Sequence, residues 1–233
     1  MKEKLVIVGI GSLAPEVYSF VKKYSLYEVI GFSVDQKYVI DSFEGLPVYP
    51  LEKLESYVDK DTTKVFVAIS WFNKFNKFKR EKFENLKARG FHFANLISPN
   101  AIVSTESIGE GNWIHDGAII DYGVKIGNNN NILLGVLVGH YSSLGDHNVL
   151  AGRANIAGDT SIGNGCYFGL ASIVFNRLSL GDYCLVGGGS IVRKDLPDYS
   201  IVTSPESINR KGTLRLMEMI MSPIGIQMIK ESK

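Results

Sequence analysis

Starting at Ile102, every sixth residue is apolar: Ile108, Ile114, Ile120, Ile126, Ile132, Val138, Leu144, Leu150, Ile156, Ile162, Phe168, Val174, Leu180, Val186 and Val192. Glycine follows at Gly109, Gly127, Gly139, Gly145, Gly163, Gly169, Gly181 and Gly187. Neither an amphipathic helix nor an alternating strand has a period of six. A chain that turns about every six residues does. Each short strand then sends one aliphatic side chain inward, and each corner takes a residue that tolerates turn geometry. Three sides close a coil of 18 residues, and successive coils pair as parallel strands about 4.8 Å apart. The expectation is a hexapeptide β-helix whose inner positions run in register from Ile102.

The register accounts for other residues. Four steps after each anchor the side chain is usually small, as at Ala118, Ser142, Ala154, Thr160, Cys166, Ser172 and Ser190. Cys166 and Cys184 stand 18 apart and so stack in adjacent coils. That separation fits a disulfide, although two small buried thiols are expected in a reducing compartment. Asn128 to Asn131 fall in and beside a corner, where Asn tolerates left-handed backbone.

The first hundred residues follow another rule. LVIVGIGS reads as a buried strand entering a glycine turn, PEVYSFVKKY as a helix, and YEVIGFSVD as a strand ending at Asp35. A short strand and a helix near Pro50, the strand VFVAIS and a helix through FNKF to KARG come next. This alternation predicts a parallel, Rossmann-like α/β sheet. Gly9 and Gly11 before a helix resemble a dinucleotide turn, but Ala14 stands where a third glycine would be. A tight strand–helix turn explains those glycines equally. The domain is short for a whole dinucleotide, so half of one, or a nucleotide-sugar, is the better guest. In WFNKFNKFKREKFENLKARG, Phe72, Phe75, Phe78 and Phe83 follow a helical stripe, and the lysines between them read as a solvated face.

Net charge is +1, so no strong field points to nucleic acid or an acidic membrane. No apolar run reaches the roughly 18 residues of a membrane span, no secretory leader opens the sequence, and there are two cysteines. A cytoplasmic protein is expected.

ISPNAIVSTESIGEG, VGHYSSLGDHNVLAG, SIGNGCYFGLASIV and LSLGDYCLVGGGSIVRKDLPD, together with the α/β half, resemble one family. It is that of the bacterial nucleotide-sugar acetyltransferases of the bacillosamine-pathway and sialic-acid O-acetyltransferase type, over roughly residues 4–203. The resemblance implies a Rossmann-like domain over 1–97 that holds a UDP- or dTDP-linked amino sugar; Gly9 and Gly11 of the turn, Asp35, placed about where a ribose-binding acid would sit, and Ser12 and Ser70 are its candidate substrate residues. It implies a left-handed β-helix over 98–203, a homotrimer with active sites between subunits, and acetyl-CoA as cosubstrate without a metal. The tail, 204–233, is expected to be a short amphipathic helix packed on a trimer neighbour. His140 in HYSSLGD matches the family's catalytic histidine. Near a corner it can point outward and take a proton from a sugar amine as that amine attacks the thioester. Gly158 matches the backbone donor to the oxyanion, and it, Leu170 and Gly188 match the CoA groove.

The sequence departs from the family pattern in places. Tyr141 replaces the acidic neighbour of the histidine, and Asp146 is one acid that could substitute for it. Val149 replaces a second histidine, and Leu13 stands for the histidine of a Gly-His-Gly turn. Thr203 to Glu206 replace the usual close of the β-helix. His92, His115 and His147 are read as structural. Rival readings are an O-acetyltransferase, a non-catalytic nucleotide-sugar-binding relative, and a zinc enzyme using His115, His140 and His147, for which no ligand pattern is found.

Overall fold

LVIV and VFV carry aliphatic and aromatic residues without polar alternation, the composition of strands covered on both faces. In the computed structural model, which describes residues 2–70 and 76–205, they form β1 (Lys4–Val8) and β5 (Thr63–Val67), paired in parallel. On the other side of β1 runs β2 (Glu28–Val34), then β4 (Leu46–Pro50), with β3 (Ser42–Phe43) antiparallel at the edge. Alternation along β1 divides the core. Leu5 and Ile7 pack with Val17, Phe20 and Val21 of α1 (Leu13–Tyr24). Val6 and Val8 pack with Phe83 and Leu86 of α2 (Lys77–Ala88). This is the expected Rossmann-like sheet, with two departures: the edge strand β3 runs antiparallel, and the helix expected near Pro50 is a 3-10 segment over Leu51–Ser56.

From Leu96–Ile97 to Ile201–Val202 the described residues make two-residue strands that fall into sheets of seven, six and four strands. Partners lie 18 residues apart: Ile114, Ile132, Leu150, Phe168 and Val186 on one side; Ile120, Val138, Ile156, Val174 and Val192 on the next; Ile126, Leu144, Ile162 and Leu180 on the third. These residues fill one buried column, the core of a left-handed parallel β-helix.

The register differs from expectation at its start. Ile102 is 60% exposed, and Val103 pairs with Ile120 in its place. The first coil is one residue short, because its strands at 97 and 103 precede their partners 114 and 120 by 17. An arithmetic period cannot reveal a deletion that happens to leave an isoleucine one place early.

The glycines after the anchors also have another cause. The left-handed corner residue comes three places after the anchor, as at Gly117, Asn129, Gly135, Tyr141, His147 and Asp159. The glycine directly after the anchor is needed because the next coil lies against it. A Cβ on Gly139 would stand 2.6 Å from the Gly158 nitrogen, and one on Gly145 2.7 Å from the Gly163 oxygen.

The three sides differ outside. The α/β domain covers the seven-stranded side. Trp113 lies edge-on to Phe20 and Phe66, and Lys79 Nζ donates to the Asn129 carbonyl at 3.0 Å and to Asn131 Oδ1 at 2.9 Å. The expected solvated face of α2 is therefore corrected. Lys79 is buried, Arg80 reaches Tyr183, and Lys82 pairs with Asp35. Charge patterning cannot tell a solvent-facing lysine from one whose ammonium finds carbonyls on another domain. The four-stranded side shows Lys125, Ser143, Ser161 and Ser179. The six-stranded side shows Ile102, Ile119, Ile173 and Ile191, all exposed. Phe72, Phe75 and the helix expected in the tail beyond 205 lie outside the described residues.

Candidate active site

The edge between the six- and four-stranded sides is opposite the face that the α/β domain covers, and His140 sits on it. Val138 points inward, Gly139 lies flat under the next coil, and Tyr141 makes the left-handed turn with φ of 56°. His140, between the last two, is pushed outward, and its side chain is 54% exposed. The corner is tied to its neighbours. Tyr141 N–H donates to the Tyr122 carbonyl at 2.9 Å, and Asp159 N–H donates to the His140 carbonyl at 2.8 Å. Ser142 Oγ donates to the Ala157 carbonyl and accepts from Thr160 N–H, both at 3.1 Å.

Gly158 occupies the equivalent position one coil above. A Cβ there would lie 2.6 Å from His140 Cε1 and 2.7 Å from Nε2, so the imidazole rests against bare backbone. At another edge the same position is capped. Asn128, Asp146, Asn164 and Asp182 each donate a backbone N–H to the side-chain oxygen of the residue in the next coil, at 2.7–2.8 Å. Gly158 N–H has no acceptor among the described residues. A free N–H beside an exposed imidazole is suited to a developing oxyanion.

The acid near His140 is not Asp146, which is committed to that ladder through Asn128 N–H. Two carboxylates from adjacent coils flank the ring. Asp121 Oδ2 is 3.7 Å from Nδ1, and Asp159 Oδ2 is 3.9 Å from Nε2. Arg177 Nε is 4.0 Å from the same Asp159 oxygen. Neither acid stands out in the sequence, since each is 19 residues from the histidine. Adding or subtracting one coil and one residue would have found both.

Leu170 and Gly188 lie one above the other on a different edge, between the seven- and six-stranded sides. The Leu170 carbonyl would be 3.3 Å from a Cβ on Gly188, and Leu170 is 65% exposed. Within one chain they do not meet His140. The remaining histidines are also dispersed. His115 and His147 occupy the other two edges, so His115, His140 and His147 stand at three separate corners. His115 packs against Phe20 and Trp113, and burial lowers its pKa. His147 Nε2 meets Glu84 Oε1 at 3.0 Å and Nδ1 meets Asn129 Nδ2 at 2.9 Å; burial lowers its pKa as well. His92 is largely exposed near Glu110.

In the α/β domain a cavity of about 380 Å³ opens at the carboxyl ends of β1 and β2. Its lining includes Gly9, Ser33, Asp35, Tyr38, Phe78 and Lys82. Ser33 Oγ is buried there without a hydrogen-bond partner. Sequence reasoning missed Lys82, which pairs with Asp35 from α2, and Tyr38. Gly9 has φ of 122°, and a Cβ would meet the Ala68 carbonyl at 2.7 Å, so the backbone itself demands glycine. Gly11 and Ser12 are exposed at the start of α1, and Ser12 makes no side-chain cap. Ser70 is half-buried after β5. These three lie outside the cavity lining.

A doubly covered α/β sheet docked on one side of a left-handed hexapeptide β-helix, with a histidine on the far edge, defines the architectural class. Residues 4–86 match the family described as the PglD N-terminal domain. The whole architecture is shared with the acetyltransferase domain of PglB from Neisseria gonorrhoeae in complex with acetyl coenzyme A. That match has a TM-score of 0.74 and 23% identity, over 86% of this chain and 96% of that one. A mutant of perosamine N-acetyltransferase from Caulobacter crescentus, in complex with CoA and GDP-perosamine, gives 0.73 and 24%, over 87% and 97%. WeeI from Acinetobacter baumannii gives 0.72 and 23%, over 86% and 96%. Among curated proteins, an acyl-[acyl-carrier-protein]–UDP-N-acetylglucosamine O-acyltransferase from Burkholderia lata is 32% identical over 119 residues, 49% of this chain. The match spans 45% of that relative's length.

Proposed function

We propose that the protein is an acetyl-CoA-dependent N-acetyltransferase acting on an amino group of a nucleotide-linked deoxysugar. The observation that carries this reading is the pairing of an exposed His140 with the uncapped N–H of Gly158. The amine attacks the thioester carbonyl while His140 takes its proton. Gly158 N–H holds the resulting oxyanion. Collapse breaks the C–S bond, and the imidazolium returns the proton to the departing thiolate. The structural likeness to PglB and perosamine N-acetyltransferase, whose complexes hold acetyl-CoA or CoA, supports the donor. The cavity at Gly9, Asp35 and Lys82 is where the nucleotide binds.

The site is completed between copies in a homotrimer. His140 and Leu170 lie on opposite margins of the six-stranded side, whose outer column of isoleucines is exposed. Burying that column against a neighbour brings one copy's His140 beside another copy's Leu170 and Gly188, and the pantetheine arm lies in that seam. The α/β domain lies on the side away from its own His140, so a seam between copies also serves to bring a sugar to the imidazole.

The test is a thiol-release assay with acetyl-CoA against a panel of UDP-, dTDP- and GDP-linked amino sugars. His140→Ala should lower the rate by about 10²-fold or more while CoA binding persists. No turnover with any amino sugar, and turnover with hydroxyl acceptors, would shift the reading to O-acetylation. Binding of nucleotide-sugars without any turnover would make the chain a non-catalytic relative.

A further inference from the structure

We propose that Asp121 is the positioning carboxylate of His140, supplied from the coil below because the adjacent residue, Tyr141, carries no charge. The inference rests on the reading of His140 as the base. Three features single out Asp121 from the two flanking acids.

The first is its anchoring. Asp121 Oδ1 accepts the Tyr122 N–H at 2.7 Å, which fixes the carboxylate plane and leaves Oδ2 toward the imidazole, 3.7 Å from Nδ1. At 3.7 Å the contact is longer than a hydrogen bond, and catalytic contacts of this kind often tighten only when substrate is bound.

The second is its charge. Asp159 shares its Oδ2 with Arg177, so part of its charge is answered elsewhere. Among the described residues no lysine or arginine pairs with Asp121. Of the two carboxylates it is the one whose charge is left to the ring.

The third is place in the column. Asp121, Gly139 and Ala157 occupy equivalent positions in successive coils, and Gly139, in the coil of His140 itself, puts no side chain against Asp121. Tyr141 lies over Gly123, where a Cβ would meet the phenol ring at 2.5 Å, and is edge-on to both Tyr122 and His140. The two tyrosines wall the Asp121–His140 pair without competing for Nδ1.

The division of labour follows. Asp121 holds the proton on Nδ1, so the lone pair sits on Nε2. Nε2 is also the nitrogen nearer the place a Cβ would take on Gly158, 2.7 Å against 2.9 Å for Nδ1, on the side where the thioester oxyanion forms. When Nε2 takes the amine proton, the imidazolium faces a carboxylate that stays ionised. Asp121 itself neither gains nor loses a proton.

The test compares Asp121→Asn, Asp121→Glu, Asp159→Asn and His140→Ala under identical conditions. Asp121→Asn should lower kcat about tenfold or more, with KM for both substrates within about twofold, as expected for an orienting partner. Asp121→Glu should recover part of the loss, and Asp159→Asn should change kcat less than about threefold. Nitrogen-15 NMR of the His140 ring should show the Nδ1–H tautomer in the wild type and a mixture in Asp121→Asn, a readout that a purely structural role would not move. If His140→Ala is inactive while Asp121→Asn keeps full kcat and the wild-type tautomer, the proposal is wrong and the base assignment survives. If His140→Ala itself retains the wild-type rate, the base assignment falls and takes the proposal with it.

Discussion

Gly158→Ala tests the geometry of the corner with one methyl group. The added Cβ would sit 2.6 Å from His140 Cε1 and 2.7 Å from Nε2, against about 3.4 Å for ordinary contact. The imidazole must therefore retreat by about 0.8 Å, the difference between 3.4 and 2.6. A displacement of about 1 Å in a reacting group costs on the order of 10²-fold in rate. The backbone at Gly158 is not left-handed, and the position faces the exposed His140 ring, so the coil should still form. The expected result in a thiol-release assay is a kcat lower by about 10²-fold with a melting temperature within about 2 °C of wild type. CoA affinity, read by calorimetry, should change little. Full kcat in Gly158→Ala would show that the ring is not held at this place during reaction, and the assignment of Gly158 N–H to the oxyanion would go with it.

The domain contact should show its own pH dependence. Burial lowers the pKa of Lys79 to about 7, whereas in the unfolded chain it titrates near 10.5. Between those values the unfolded chain holds the extra proton, so stability rises with pH across that window and the slope vanishes below about pH 7. Urea titrations at pH 7 and 9 should show wild type gaining on the order of 1–3 kcal/mol relative to Lys79→Met; equal slopes would refute it. His147 works on the acid side, because burial holds it below its usual 6.5. Its contribution is complete above that value and is lost as pH falls beneath it, so His147→Gln should flatten the decline in melting temperature between pH 6.5 and 5. Cys166 and Cys184 are buried free thiols, and burial pushes Cys166 up to about 12. A colorimetric thiol reagent should find neither until denaturant is added. Ile173→Glu, on the exposed isoleucine column, should shift the light-scattering mass of the assembly toward monomer; an unchanged mass would count against that face as the seam.

The six-residue period made the β-helix legible because the rule is local. Each turn must bury one aliphatic residue whatever its neighbours do, so the anchors from Ile114 to Val192 can be read along the chain, and all of them are buried. The outward place of His140 follows from the same count, two steps past Val138. The alternation of LVIV and VFV with amphipathic helices gave the sheet for a similar reason.

What the chain could not announce are relations between coils and between domains. Asp121 reaches His140 only because stacking returns the chain to the same corner after 18 residues, one place out of step. Gly158 N–H has no acceptor among the described residues, because Asn176, at the equivalent place in the next coil, does not bring its side-chain oxygen to it, while on the edge lined by Asn128, Asp146 and Asn164 the equivalent side chains cap the N–H below. Lys79 reads as a surface lysine until the docked domain gives it two oxygens and excludes water. The first coil loses a residue without losing its apolar pattern. Sequence determined the path of each turn, because local sterics and hydrophobicity fix it. Tertiary structure decided which atoms those turns bring together, because that depends on stacking distance, docking and the solvent they displace.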